Sequence, residues 1–87
     1  MHNFYLIAFD STQQAIRTEM LLDYADIEID TLPTPKQVTA GCALSIAFPQ
    51  AEIAQVVSIL VGERVEIRGI FEPIAEDYVE LAWEEMA

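Results

Sequence analysis

Between residues 3 and 71 the spacing of apolar positions switches repeatedly between the two-residue period of a strand and the longer period of a helix. Asn3 to Phe9 is apolar on both faces, with Phe4, Leu6 and Ala8 on one side and Tyr5, Ile7 and Phe9 on the other, as in a central strand. Ser11-Thr12-Gln13-Gln14 has the form of a capping box, with Ser11 as N-cap and Gln14 at N3. The helix it opens extends to Tyr24 or Ala25, with Ile16, Met20 and Tyr24 stacked as an apolar stripe. Ile27 to Leu32 alternates Ile27 and Ile29 with Glu28 and Asp30, which predicts an edge strand with one wet face.

Pro33 to Gly41 is the longest irregular segment; Pro33 and Pro35 fix φ and remove two donors, so it is expected to be extended and stiff. Ala43 to Phe48 is a second central strand, with Leu44, Ile46 and Phe48 on one face and the small Ser45 and Ala47 on the other. Pro49 suits the first turn of a second helix, whose apolar face is Ile53, Val56, Val57 and Leu60 and whose stop is Gly62. Val65 to Phe71 again alternates, with Glu66 and Arg68 outward, as an edge strand does. Charge is thus confined to the second and fourth strands of a β-α-β-β-α-β order. That division predicts an α+β, ferredoxin-like sandwich with an antiparallel sheet in the order 4-1-3-2.

Residues 1–71 form the expected domain, and residues 72–87 an acidic C-terminal extension. Tyr78, Val79, Ala82 and Met86 can line a helix there; a short strand from Tyr78 to Trp83 is the alternative. Helices cover one face of such a sheet, so Tyr5, Ile7 and Phe9 are expected on the bare face. A cover is then needed, from the extension through Trp83 or from a second subunit.

Composition narrows the function. Apolar residues make up 53% of 87 residues, enough for one core and against disorder. A chain this short gains from burial against a partner. Four basic and fifteen acidic residues give 4 − 15 = −11, which repels phosphate backbones and anionic lipid. Neither nucleic-acid nor membrane binding is expected, whereas a basic protein surface would be attracted. One cysteine forms neither an internal disulfide nor a multi-cysteine metal site. With no signal-peptide pattern at the start, the expectation is a cytoplasmic protein with a reduced thiol and no cofactor or metal.

Cys42 is the leading candidate for chemistry. It follows Gly41 at the mouth of a central strand, where Lys36 is the nearest cation in sequence and free amides or an ammonium would favour a thiolate. The plain alternative is a buried packing cysteine. Thr34 and Thr39 could hold a small anion with the loop amides, although capping of turns by their hydroxyls is the simpler role. The same choice applies to Ser11 and Thr12 at a helix start. His2 has no cysteine partner at a recognised spacing and receives no role. Glu76, Asp77, Glu80, Glu84 and Glu85 form a solvated face without calcium-loop spacing, and Trp83 is a packing or interface anchor.

Leu32-Pro33-Thr34-Pro35 leading to Cys42, together with Phe9-Asp10-Ser11-Thr12 and a helix carrying Ala15 and Glu19, resembles the selenium/sulfur (Se/S) carrier protein-like family of small bacterial proteins. The family pattern is Pro-Thr-Pro-Arg-Glu followed by Cys-Gly; here Lys36, Gln37 and Ala43 stand in place of Arg, Glu and Gly. The resemblance implies that Cys42 is the carrier thiol, with Pro33, Thr34, Pro35, Lys36 and Gly41 shaping and charging its loop. A carrier or accessory protein, rather than a stand-alone enzyme, would meet another protein as sulfur or selenium donor or acceptor. Two alternatives stay open. One is a non-catalytic interaction module that docks or homo-oligomerises through its open sheet face, with a structural Cys42. The other, by fold analogy, is a small-molecule sensor domain.

Overall fold

The computed structural model describes residues 3–86; His2 lies outside them. Five strands and two α-helices follow one another as β1 (Phe4–Ala8), α1 (Thr12–Tyr24), β2 (Asp30–Pro33), β3 (Leu44–Pro49), α2 (Ile53–Gly62), β4 (Gly69–Ile74) and β5 (Asp77–Glu80). Short 3-10 turns at Gln50–Glu52 and Trp83–Met86 complete the chain. All strand pairs are antiparallel, and the sheet runs β2-β3-β1-β4-β5. This corrects the four-stranded 4-1-3-2 sheet and the helical extension expected from the sequence. The difference is β5, which pairs with β4 through Phe71↔Glu80 to Ile74↔Asp77 and moves β4 from an edge to the interior. The β4–β5 connection is the two-residue turn Ala75-Glu76, in which Ala75 adopts φ 56°, where glycine is favoured. Pro73 is tolerated in β4 because pairing with β1 ends at Phe71.

Both helices end in the same way. After α1, Asp26 N–H donates to Asp23 O and Ile27 N–H to Leu22 O, with Asp26 at φ 60°. After α2, Arg64 N–H donates to Val61 O and Val65 N–H to Leu60 O, with Arg64 at φ 55°. These are Schellman motifs with non-glycine residues at the left-handed position. The stop expected at Gly62 therefore comes two residues later, and Gly62 itself stays helical.

The helices pack on the sheet face that carries Ile7, Phe9, Ile46, Phe48 and Ile70, meeting it with Ala15, Leu22, Val56, Val57 and Leu60. Tyr5 and Phe48, opposite one another across β1 and β3, contact edge-to-face at 5.9 Å. The sheet is thus inverted relative to expectation: Tyr5, Ile7 and Phe9 face the helices. Trp83 and Leu81 pack against this same cluster, with Leu81 N–H donating to Ile70 O. The other face holds Leu6, Ala8, Ala47 and Phe71, and its cover is Val38 from the loop between β2 and β3, with Ala40, Leu32 and Tyr78 around it.

The buried stripe of α1 is also not the expected one. Ala15, Thr18 and Leu22 face the core, and Ile16, Met20 and Tyr24 face out. Thr18 can be fully buried because its hydroxyl donates to Gln14 O at 2.8 Å. The α2 face of Val56, Val57 and Leu60 is as its spacing predicts. Ser11 is the N-cap of α1 but makes no side-chain cap bond. Gln14 does not reach back to it; its Oε1 accepts the Glu66 N–H at 3.4 Å instead. Pro49 closes β3 rather than opening α2, and the 3-10 turn separates them. Among the described residues no helix is long and apolar enough to cross a membrane.

Candidate functional site

Because β1 and β3 are antiparallel neighbours, the end of β1 lies beside the start of β3. The pairing of Ile7 with Ile46 therefore aims Phe9-Asp10-Ser11-Thr12 at the residues around Cys42. Four contacts close this junction. Cys42 N–H donates to Phe9 O at 2.9 Å, and Gly41 N–H donates to Asp10 Oδ1 at 2.7 Å. The Gly41 Cα approaches the Asp10 backbone so closely that a Cβ there would sit 2.9 Å from Asp10 O. Thr12 Oγ1 lies 3.4 Å from Cys42 Sγ.

The sulfur is enclosed. Cys42 is 5% exposed and belongs to the core cluster on the helix side of the sheet. It nevertheless has polar company, since Leu44 N–H points at Sγ from 3.4 Å on the side of β3 while the Thr12 hydroxyl meets it from the first turn of α1. With no side-chain cap from Ser11, the first turn of α1 presents backbone N–H groups in this neighbourhood, a setting that suits negative charge. A depression of about 220 Å³ opens beside the same helix start, lined by Asp10, Ser11, Gln14, Glu66 and Ile67.

Residues 34–43 cross the helix-free face of the sheet as a strap. Its base is clamped by Thr34, whose N–H donates to Ala43 O at 2.8 Å and whose hydroxyl donates to Cys42 O at 3.0 Å. A hydroxyl has one proton to give, so the 2.7 Å contact between Thr34 and buried Ser45 is a bond donated by Ser45. Beyond Pro35 the strap turns, with Val38 N–H donating to Pro35 O, and Val38 is buried on the sheet. Arg68 Nε donates to Thr39 O at 3.1 Å, and Gln37 Nε2 donates to Glu76 O at 2.8 Å in the β4–β5 turn.

The sequence-derived candidates divide accordingly. Pro33 ends β2 opposite Leu44, Pro35 O accepts the Val38 N–H, and Gly41 lies against the Asp10 backbone. Thr34 acts through its hydroxyl as a clamp, and Thr39 contributes its carbonyl. Lys36 is exposed at the strap's turn and is not among the hydrogen-bonding partners of Sγ. Asp10, which accepts from Gly41 N–H, and Thr12, which meets Cys42 Sγ, are the site residues that sequence reasoning did not connect to this loop. The signal was the adjacency of the first and third strands, which alone sets residues near 11 against residues near 42. The described residues contain no group of three or more His, Cys, Asp or Glu placed to hold a metal ion.

No curated protein and no solved structure matches the chain. The family model described as Putative Se/S carrier protein-like matches residues 4–72, from the start of β1 into β4. That span includes both halves of the junction, Phe9 to Thr12 and Gly41-Cys42, and the whole strap between β2 and β3. It covers well over half of the 87 residues, and the chain belongs to the Putative Se/S carrier protein-like family.

Proposed function

We propose that the protein carries sulfur or selenium on Cys42 and passes it between partner proteins. The observation that carries this reading is the pair of hydrogen-bonding contacts on Sγ, from Thr12 Oγ1 and Leu44 N–H. A cysteine used only to fill space needs neither. In the loading step the Cys42 thiolate attacks the outer sulfur of a donor persulfide. The donor S–S bond breaks, its inner sulfur leaves as a thiolate, and Cys42 keeps the outer sulfur as a persulfide. Leu44 N–H and the α1 first turn would support the negative charge. Access requires the junction of Asp10 and Thr12 with Gly41-Cys42 to open, because Cys42 is buried on the helix side of the sheet when it is closed. The βαββαβ portion is read as a ferredoxin-like scaffold for this loop, extended by β5.

Packing is the second role for Cys42, favoured by its place in the core cluster with Phe9 and Ile46. Cys42→Ser separates the two. Under the carrier reading the variant folds with near-normal stability and takes up no sulfur from a persulfide donor. A large loss of stability, with no sulfur uptake by the wild-type chain either, assigns Cys42 to packing.

A further inference from the structure

The outward face of α1 is apolar without being covered: Ile16 is 48% exposed, Met20 66% and Tyr24 92%, each one turn beyond the last. Next to Met20 is an open depression of about 470 Å³ lined by Glu19, Met20, Asp23 and Ile29. A second depression, bordered by Leu21, Tyr24 and Ile59, lies at the other side of the stripe, between α1 and α2. The only cation of α1, Arg17, is engaged by Glu63, donating to its carbonyl at 2.8 Å and meeting Oε1 at 3.4 Å. Glu19 and Asp23 make no ion pair among the described residues. The surface therefore combines an apolar ridge with unbalanced negative charge at its rim.

We propose that this face of α1 docks a basic, amphipathic segment of a partner protein. Apolar side chains of that segment lie on Ile16, Met20 and Tyr24. A lysine or arginine stem runs over Met20 and Ile29 and brings its charge to Glu19 and Asp23. A second copy of the chain is a poor occupant, because each carries a net charge of −11 and this face adds two carboxylates to the encounter. The stripe begins one turn beyond Thr12, so a docked segment ends beside the Cys42 junction. The surface itself requires no role for the sulfur.

The test uses two synthetic amphipathic helices, one of leucine and lysine and one of leucine and glutamate, titrated into the full-length protein. Binding of the leucine–lysine peptide is expected, weakening with salt, with no binding of the glutamate peptide. Met20→Gln combined with Tyr24→Ser changes only exposed side chains and is expected to weaken binding by at least about ten-fold. Cys42→Ser is expected to bind as the wild type does, which keeps this result separate from the carrier reading. Equal binding to wild type and the double variant, equal binding of both peptides, or binding of neither overturns the proposal. So does a wild-type dimer that Met20→Gln with Tyr24→Ser converts to monomer, since the occupant is then a second copy.

Discussion

Thr12 Oγ1 lies 3.4 Å from Cys42 Sγ, joining two segments thirty residues apart at the point where β1 gives way to α1 and the strap gives way to β3. The contact ties the one thiol of the chain to a helix start rather than to Lys36. Removing the hydroxyl while keeping the shape, as Thr12→Val does, should leave the fold almost unchanged because Thr12 is exposed. Loss of one hydrogen bond of about 1 kcal/mol predicts roughly five-fold slower sulfur loading of Cys42. Loading rates for the two proteins, measured under the same donor concentration, check this; equal rates remove Thr12 from the site.

Gly41 is fixed by the approach of Asp10. Gly41→Ala puts a methyl carbon 2.9 Å from a backbone oxygen that cannot rotate away. The junction must then open, at a cost of about 1–3 kcal/mol. Thermal unfolding should show a midpoint lower by roughly 10 °C, and an unchanged midpoint would mean that the strap returns to β3 by another path.

Val38 holds the strap on the helix-free face. Val38→Ala removes two methyl groups from a buried contact with Leu6, Ala8, Ala47 and Phe71, about 1.6 kcal/mol of burial at about 0.8 kcal/mol each. Thermal unfolding should show a midpoint lower by roughly 5–10 °C, and an unchanged midpoint would mean that the strap is not held by this contact. Arg68→Ala, which breaks the bond to Thr39 O, should act in the same direction.

The left-handed residue at the end of α2 is a place to gain stability. Arg64 at φ 55° holds a conformation in which its Cβ is strained, and glycine is free of that penalty. Arg64→Gly is expected to raise stability by about 0.5–1 kcal/mol after the greater entropy of the unfolded chain is counted. Denaturant titration with an unchanged slope and a higher midpoint is the expected result.

The two strands richest in apolar residues, β1 and β3, and the α2 stripe were legible because burial on both faces, or on one helical face, leaves an unambiguous period. Which way the sheet faced was not legible. Leu6 and Ile7 are both fully buried, so period alone could not say which of them meets the helices. The stripe of α1 misled because Ala15 and Thr18 look less hydrophobic than Ile16 and Met20, although Thr18 satisfies its hydroxyl within the helix. β5, Asp77–Glu80, was legible only as the alternative strand from Tyr78 to Trp83, because of Pro73 and of a turn, Ala75-Glu76, that lacks the glycine or asparagine usual at a tight hairpin. β4 starts at Gly69 instead of Val65 because Val65 is spent on the Schellman end of α2. At the site, the proline-bounded loop and Cys42 could be read from local sequence, whereas Asp10 and Thr12 depended on a pairing between distant segments.

The most direct test of the central claim is the rate at which a persulfide donor adds one sulfur atom at Cys42, located by mass spectrometry of peptides from the wild type and from Gly41→Ala, which forces open the junction with Asp10. A carrier thiol enclosed by that junction predicts a single-sulfur adduct on the Cys42 peptide in both proteins, forming about ten-fold faster in Gly41→Ala. No adduct in either protein, with Cys42 still alkylated after unfolding, would contradict the carrier role and leave the sulfur a part of the core.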